Sequence, residues 1–262
     1  MTTEHDDRRR RELAANLARV RARIEAAARV AGRDPAELTL IAVTKTYPAS
    51  DIALLAELGV TDIGENRDHE AAAKYVELCS PSSTELCSPS STELCSPPSA
   101  ATAPLRWHFI GQLQRRKCRS VVTYADVVQS VDRPELASAL GAAAANAGRV
   151  VDALVQVSLD DPATVTGRGG VDPAGALLLA ERVDATPGLR LAGVMAVAPP
   201  GADPGPAFRR LAETSAQVRA AFPGATVVSA GMSGDLESAV ENGATHLRVG
   251  TALLGRREGV VG

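Results

Sequence analysis

The segment TLIAVTKTYP, residues 39–48, predicts a buried β-strand that ends close to a lysine. Residues 40–43 are apolar without alternation, which is typical of strands in parallel sheets because both of their faces are covered. Lys45 follows at the C-terminal end of this strand, and Pro48 stops the extended segment. A lysine in this position either reaches solvent from the strand end or provides a reactive amine.

The rarity of lysine strengthens the second interpretation. The chain has 28 basic residues, and only three of them, Lys45, Lys74 and Lys117, are lysines. An arginine keeps its proton near neutral pH, whereas a desolvated lysine can lose it, and only the neutral amine attacks a carbonyl carbon. Lys45 is therefore a candidate nucleophile in a chain that otherwise uses arginine.

Composition and charge are those of an ordinary globular protein. The 262 residues are 45% hydrophobic and 23% charged, which is enough for a sizeable core. The net charge of −3 gives no electrostatic argument for a nucleic-acid or membrane partner. No apolar run approaches the ~20 residues of a membrane span, and no apolar segment follows the N-terminal arginines as it would in a secretory signal. We therefore expect a cytoplasmic protein.

Apolar runs and helical segments alternate along most of the chain. Residues 1–7 are expected to be a disordered tail, and residues 8–31 have the spacing of an amphipathic helix. Eight predicted strands follow, at residues 40–43, 60–66, 106–111, 125–132, 152–159, 189–197, 225–231 and 245–250. Predicted helices separate them, at residues 50–58, 67–77, 113–122, 134–147, 173–184, 206–221 and 234–242.

This order predicts an α/β fold, a (β/α)8 TIM barrel with one extra N-terminal helix, in a single domain over residues 8–257. A doubly wound open sheet is the alternative. The barrel is favoured because the strands are short and no G-x-G-x-x-G motif follows the first one.

One segment, at residues 77–104, interrupts the alternation. It contains the eight-residue repeat ELCSPSST and three of the four cysteines, Cys79, Cys87 and Cys95. A spacing of eight is neither a metal-binding pattern nor a disulfide framework of a secreted domain. We interpret the segment as a low-complexity Ser/Pro/Cys insert, disordered and placed in a βα loop. The fourth cysteine, Cys118, is expected to be structural.

Polar residues and glycines gather where the predicted strands end, which in a barrel is a single rim. The segments SAGMSGD, residues 229–235, and RVGT, residues 248–251, follow the last two strands and expose backbone N–H groups that suit a phosphate. A reactive lysine facing such loops indicates a Schiff base with a phosphorylated aldehyde, pyridoxal 5'-phosphate (PLP) above all.

Arg248 bears on the chemistry of such a site. Its position predicts a side chain that points into the barrel mouth, where it would donate to the pyridine nitrogen of PLP and keep that nitrogen unprotonated. The ring would then be a weak electron sink. The alternative is an arginine that satisfies a buried carboxylate.

Five segments carry a family resemblance, namely AVTKTYP, IGENRDHEAAAKY, WHFIGQLQ, GVMAV and SAGMSGDLESAVENGATHLRVGTALLG. Together they resemble the pyridoxal phosphate homeostasis protein family, single-domain relatives of the N-terminal barrel of alanine racemase, over roughly residues 10–257 apart from the insert. The resemblance implies that Lys45 holds PLP as an internal aldimine. It also implies further cofactor-binding residues, with no catalytic residue and no metal: Asn66, His108, Met195, Ser229, Gly231, Met232, Ser233, Arg248, Gly250 and Thr251.

Within that set the resemblance assigns individual roles. The phosphate would be held by Ser229, Ser233, Gly250 and Thr251, and Arg248 would face the pyridine nitrogen. The ring would be lined by Asn66 and Met195, while His108 would lie near the mouth. Two departures from the family pattern lie on the rim: LQRRK at residues 113–117 and Arg168.

The implied function is intracellular PLP homeostasis without strong catalysis, with PLP-dependent apoenzymes as acceptors and a monomer or weak dimer as the state of the chain. The alternative is a PLP-dependent amino-acid racemase of the alanine racemase type. Two-base racemisation needs an acid/base group on each face of the cofactor, and Lys45 supplies one. In alanine racemase the other is a tyrosine from a second domain, which we do not expect here. A Schiff-base aldolase is a third class and would be colourless as purified.

The insert provides a first test. Removing residues 78–98 should leave PLP affinity unchanged, because a low-complexity segment adds no side chains to the strand ends. The affinity can be measured by absorbance titration of the deletion variant and the full chain. A large loss of affinity would mean that the insert is part of the site.

Overall fold

The computed structural model describes residues 2–79, 104–160 and 168–255. Most of the predicted insert, residues 80–103, lies outside this range. Its attachment points are described: it follows a helix that ends at Leu78 and precedes a strand that begins at Arg106. The segment is thus an αβ connection, and its placement in a βα loop was wrong because the helix preceding it belongs to the previous β/α unit.

Eight parallel strands close into a barrel in chain order, from β1 to β8, with β1 paired to β8. This closure confirms the predicted barrel and excludes an open sheet. The strands are β1 (Thr39–Val43), β2 (Asp62–Glu65), β3 (Arg106–Phe109), β4 (Val127–Val131), β5 (Val151–Val157), β6 (Leu189–Ala196), β7 (Val227–Ser229) and β8 (His246–Val249).

Helices surround the barrel and bury their apolar faces against the strands, which forms the main hydrophobic core. They are α1 (Thr2–Val30), α2 (Ala49–Glu57), α3 (Asp68–Leu78), α4 (Cys118–Val121), α5 (Pro134–Asn146), α6 (Ala176–Asp184), α7 (Pro204–Ala221), α8 (Leu236–Glu241) and α9 (Thr251–Leu254), with short 3-10 turns at Pro35–Glu37, Arg115–Lys117 and Pro173–Gly175.

The extra N-terminal helix packs against α8 and α9, next to the end of β8. Its apolar face is buried, as the spacing predicted, and Asn16 donates to the carbonyl oxygen of Leu253 at 2.8 Å. The helix begins at Thr2, so the prediction of a disordered tail over residues 1–7 was too long.

Two other helices differ from the prediction. The segment predicted as a helix at residues 113–122 is a 3-10 turn followed by the single turn of α4. The short helix α9 was not predicted; it begins directly after Gly250, whose carbonyl oxygen accepts from the backbone of Leu253 and Leu254 at 2.9 Å each.

The middle of the barrel is closed by side chains from alternate strand positions, as in other eight-stranded barrels. A small apolar cluster of Val127, Leu154 and Met195 is separate from the main core. Polar side chains also lie in the interior. Gln129 on β4 hydrogen-bonds Ser229 on β7, and because these strands are not neighbours the bond crosses the inside of the barrel. The interior is therefore partly polar.

The backbone conformation and close surroundings of Gly193 explain why β6 contains a glycine in the GVMAV segment. Its φ is 148°, and the register between β5 and β6 shifts at this point. A Cβ atom here would lie 1.9 Å from the carbonyl oxygen of Val227 on β7. The residue must be glycine for β6 to pass this close to β7 and present Met195 to the interior.

We expect Gly193→Ala to lower the free energy of unfolding by about 3 kcal/mol, since it combines a strained backbone with an overpacked contact. Gly224→Ala is the matched control, because nothing lies within 4 Å of a Cβ atom there. Urea denaturation followed by circular dichroism measures both. Equal stability of the two variants would contradict the prediction.

Candidate functional site

Lys45 has the only uncommitted amine among the three lysines, all of which lie in the described residues. Its side chain is exposed just beyond the end of β1 and makes no hydrogen bond or ion pair there. The ammonium of Lys74 is buried and pairs with Glu65 at 2.8 Å and Glu70 at 2.6 Å. The ammonium of Lys117 lies 3.1 Å from a carboxylate oxygen of Asp68. Lys45 is thus the lysine available to a ligand.

The turn that carries Lys45 is held by a network around Lys74. Thr46 has a φ of 70°, which an L-residue adopts at a cost of about 1–3 kcal/mol. Its backbone N–H donates to Glu70, and Lys74 donates to the carbonyl oxygen of Thr44 at 2.9 Å. The hydroxyl of Thr44 donates to Glu65 at 2.6 Å. These contacts fix the backbone on both sides of Lys45.

Glu65 is the buried carboxylate of this network, 1% exposed. Burial raises the pKa of its carboxyl group, although the hydrogen bond and charge of Lys74 oppose the shift. One of its oxygens, Oε2, has no hydrogen-bond partner in the described part of the chain. The charge of Lys74 is therefore needed to keep a carboxylate at this depth.

Arg248 is buried inside the barrel, with 4% of its surface exposed. Its guanidinium donates to the hydroxyl of Ser229 at 2.6 Å and to the carbonyl oxygen of Ala196 at 2.8 Å. Burial lowers its pKa to about 10, so it stays a cation at neutral pH. No carboxylate of the described residues lies within ion-pair distance, which argues against the alternative that Arg248 satisfies a buried carboxylate.

The two loops predicted to hold phosphate lie at the C-terminal rim. A Cβ atom on Gly250 would lie 3.4 Å from the carbonyl oxygen of Val43, so this loop packs against the end of β1. Thr251 is exposed at the start of α9. In the other loop, the carbonyl oxygen of Ser233 accepts from Arg23 of α1 at 2.7 Å.

Gly231 has a structural reason to be glycine. Its φ is 87°, and a Cβ atom would lie 2.6 Å from Cβ of Ala239. Its carbonyl oxygen accepts from the backbone N–H of Arg248 at 2.9 Å, which joins the loop after β7 to β8.

Three other predicted residues lie at different depths. Asn66 is exposed at the end of β2 and packs against the loop after β3, where a Cβ atom on Gly111 would come within 2.8 Å of its amide oxygen. Met232 is 38% exposed, and its backbone N–H donates to Asp235 at 2.6 Å. Met195 lies deeper, in the interior cluster.

His108 and Ser229 are both buried inside the barrel. His108 lies inside the barrel, 2% exposed, with both ring nitrogens in hydrogen-bond contact with protein atoms, at 2.8 Å from Asp62 and 2.9 Å from Gln129. Its ring reaches Asp62, the first residue of β2, so it points towards the N-terminal end of the barrel and not towards the mouth. The hydroxyl of Ser229 bonds Gln129 and Arg248, and its contact with a phosphate stays a prediction.

Sequence reasoning missed the supporting residues. Lys74 could have been found by the signal that singled out Lys45, since it is one of only three lysines. Gln129 is a lone amide in the apolar run VVQSV, a pattern that indicates a buried polar contact but not its partner.

Cys118 fits the expectation of a structural cysteine, since burial raises the pKa of its thiol to about 11. Across residues 2–79, 104–160 and 168–255, no group of three or more His, Cys, Asp and Glu side chains could hold a metal ion. In the same residues, no helix combines the length and apolar character that crossing a membrane requires.

Comparison with known proteins shows which protein family the chain belongs to. Residues 15–258 match the family described as alanine racemase, N-terminal domain, and the chain belongs to that family. Within it, the chain is 40% identical over 258 residues to the pyridoxal phosphate homeostasis protein of Mycobacterium tuberculosis (strain H37Rv), covering 95% of this chain and 94% of that one.

Solved structures agree with this assignment. PipY of Synechococcus elongatus PCC7942, solved with PLP bound, has a TM-score of 0.73 and 29% identity over 93% of this chain and all of its own. Alanine racemase from Streptomyces coelicolor shares the fold, with a TM-score of 0.65 and 18% identity over 93% of this chain and 58% of its own.

We expect Lys74→Met to lower the free energy of unfolding by about 3 kcal/mol, because it leaves Glu65 as an unpaired buried carboxylate. Lys117→Met is the matched control: its ammonium is half-exposed and should contribute at most about 1 kcal/mol. Urea denaturation at neutral pH compares the two. A Lys74 variant as stable as the control would show that the network around Lys74 does not support this turn.

Proposed function

We propose that this chain binds PLP and serves in its intracellular homeostasis, with Lys45 as the covalent attachment point. The observation that carries the proposal is the amine of Lys45, which has no partner in the described residues. It lies beside the strained residue Thr46, at the C-terminal ends of the barrel strands. Membership of the pyridoxal phosphate homeostasis proteins supports the same ligand.

The residues present fit PLP on several counts. The guanidinium of Arg248 is buried and has no carboxylate partner in the described residues. It is therefore suited to donate to an uncharged ring nitrogen. The Ser233 loop and the amides of Gly250 and Thr251 suit a phosphate, and Asn66 would line the ring. When bound, PLP supplies an aldehyde that condenses with an amine. Lys45 would supply the neutral amine for this condensation, which would release one water and leave the proposed internal aldimine.

Two features support weak catalysis. Arg248 cannot give its proton to the ring nitrogen, so the bound ring would stabilise a carbanion poorly. The tyrosines are engaged elsewhere: Tyr47 donates to the carbonyl oxygen of Gly255 at 2.6 Å, and Tyr75 and Tyr124 pack with Trp107. None of these contacts offers a second acid/base group opposite Lys45, so we favour a carrier that passes PLP to apoenzymes over a racemase.

The test is covalent attachment. We expect the purified chain to show the yellow absorption of a PLP Schiff base, and borohydride to fix the cofactor on the peptide that contains Lys45. Lys45→Ala should abolish the band, with a change in the free energy of unfolding within about 0.5 kcal/mol because the side chain is exposed. Lys117→Ala is the control and should keep the band.

Two outcomes would contradict the proposal. Retention of the band by Lys45→Ala would move the attachment to Lys74 or Lys117. A colourless protein that does not bind added PLP would refute the function and favour a different Schiff-base chemistry. Racemase assays on several amino acids then separate the carrier from an enzyme, and rapid racemisation would refute the carrier.

A further inference from the structure

Five buried polar side chains form a continuous line of hydrogen bonds through the barrel. Arg248 donates to the hydroxyl oxygen of Ser229 (2.6 Å), and that hydroxyl bonds Oε1 of Gln129 (2.7 Å). Nε2 of Gln129 lies 2.9 Å from Nδ1 of His108, and Nε2 of His108 lies 2.8 Å from Oδ1 of Asp62. Each of the five is at most 7% exposed. We call these five residues the relay.

Every hydrogen bond in the relay has the same direction. A guanidinium has only donors, so Ser229 accepts from Arg248 and uses its single proton on the carbonyl oxygen of Gln129. The NH2 group of Gln129 then donates to Nδ1 of His108, which leaves the ring proton on Nε2, facing Asp62. The dipoles therefore align from a cation at one end to a carboxylate at the other.

The two charged ends lie at different levels of the barrel. Asp62 is the first residue of β2 and borders a cavity of about 320 Å³ at the N-terminal end of the barrel. Arg248 lies nearer the opposite rim, beside the last residues of β6 and β7. Burial would raise the pKa of Asp62, but the hydrogen bonds from His108 and Thr61 and the nearby charge of Arg106 oppose this, and the pKa lies below its ordinary value. Asp62 is therefore a carboxylate, joined to the guanidinium by three side chains.

We propose that the relay positions Arg248 for the bound cofactor, with Asp62 as its remote counter-charge; the inference rests on the function proposed above. A direct carboxylate partner would turn the guanidinium away from the ring and neutralise it locally. Three neutral residues in between leave its remaining donors free while holding its orientation. The central position belongs to Gln129, which alone contacts both Ser229 and His108. Asp62, His108 and Gln129 are positioning residues that act through Arg248.

The experiment is a double-mutant cycle on Gln129→Met and Asp62→Asn. The readouts are the dissociation constant of PLP and the absorption maximum of the complex. Gln129→Met removes both central bonds, and we expect PLP to bind about tenfold more weakly, as for the loss of one hydrogen bond to a charged group. Asp62→Asn should weaken binding severalfold in the wild-type chain and change nothing further in the Gln129→Met background.

Ser130→Ala is the matched control. Ser130 is the next residue on β4, is equally buried, and its hydroxyl has no partner in the described residues. It should leave both readouts unchanged. If Asp62→Asn has the same effect with and without Gln129, or no effect in either background, the relay is refuted.

A second measurement needs no cofactor. Nitrogen-15 NMR of the histidines in the chain free of PLP should show His108 protonated on Nε2 and bare on Nδ1. Gln129→Glu should place protons on both nitrogens, because a carboxylate at this position can only accept. A proton on Nδ1 in the wild-type chain would refute the relay. Failure of the wild type to bind PLP would instead refute the proposed function, and the tautomer would still decide whether the relay exists.

Discussion

The structure depends on the burial of one guanidinium. A cation such as Arg248 inside a barrel loses its hydration, and the protein must replace it with oriented polar groups. The replacements are a serine hydroxyl, a backbone carbonyl and, through Gln129 and His108, a carboxylate on the opposite side of the interior. This requirement explains why the core of an apolar barrel contains an amide and an imidazole where Val and Leu would otherwise pack.

The three lysines differ in their contacts: Lys74 and Lys117 pair with carboxylates, and Lys45 does not in the part of the chain that the structure describes. Lys74 compensates two carboxylates below the turn, and Lys117 lies beside Asp68. Lys45 alone projects from a backbone that its neighbours hold rigid. Because the turn is already fixed, only the side chain of Lys45, and not its backbone, would lose conformational freedom on binding a small aldehyde, which is the advantage of preorganisation.

The sequence was sufficient for the architecture and for the residues at the strand ends, because both follow from local patterns. Apolar runs ending in Lys45, Asn66 or Arg248 are visible without coordinates. The partners of Gln129 could not be predicted from the sequence, since a contact between β4 and β7 depends on which side chains face each other across a closed barrel. The depth of His108 was missed for a related reason: its ring bonds Asp62 on β2 and Gln129 on β4, and the local sequence does not show these contacts. Thr46 gave no signal, because its left-handed backbone is held by a hydrogen bond to Glu70 of helix α3, which is distant in sequence.

The connection between α3 and β3 has a practical consequence. It leaves and re-enters the barrel through an αβ junction, on the end opposite the strand termini that carry Lys45. Chain length there is uncoupled from ligand geometry, because closing a longer connection costs only slowly increasing entropy. This connection is therefore suited to circular permutation or to insertion of a reporter domain. Such a domain would report on the folding of the barrel and would lie away from the strand ends that carry Lys45.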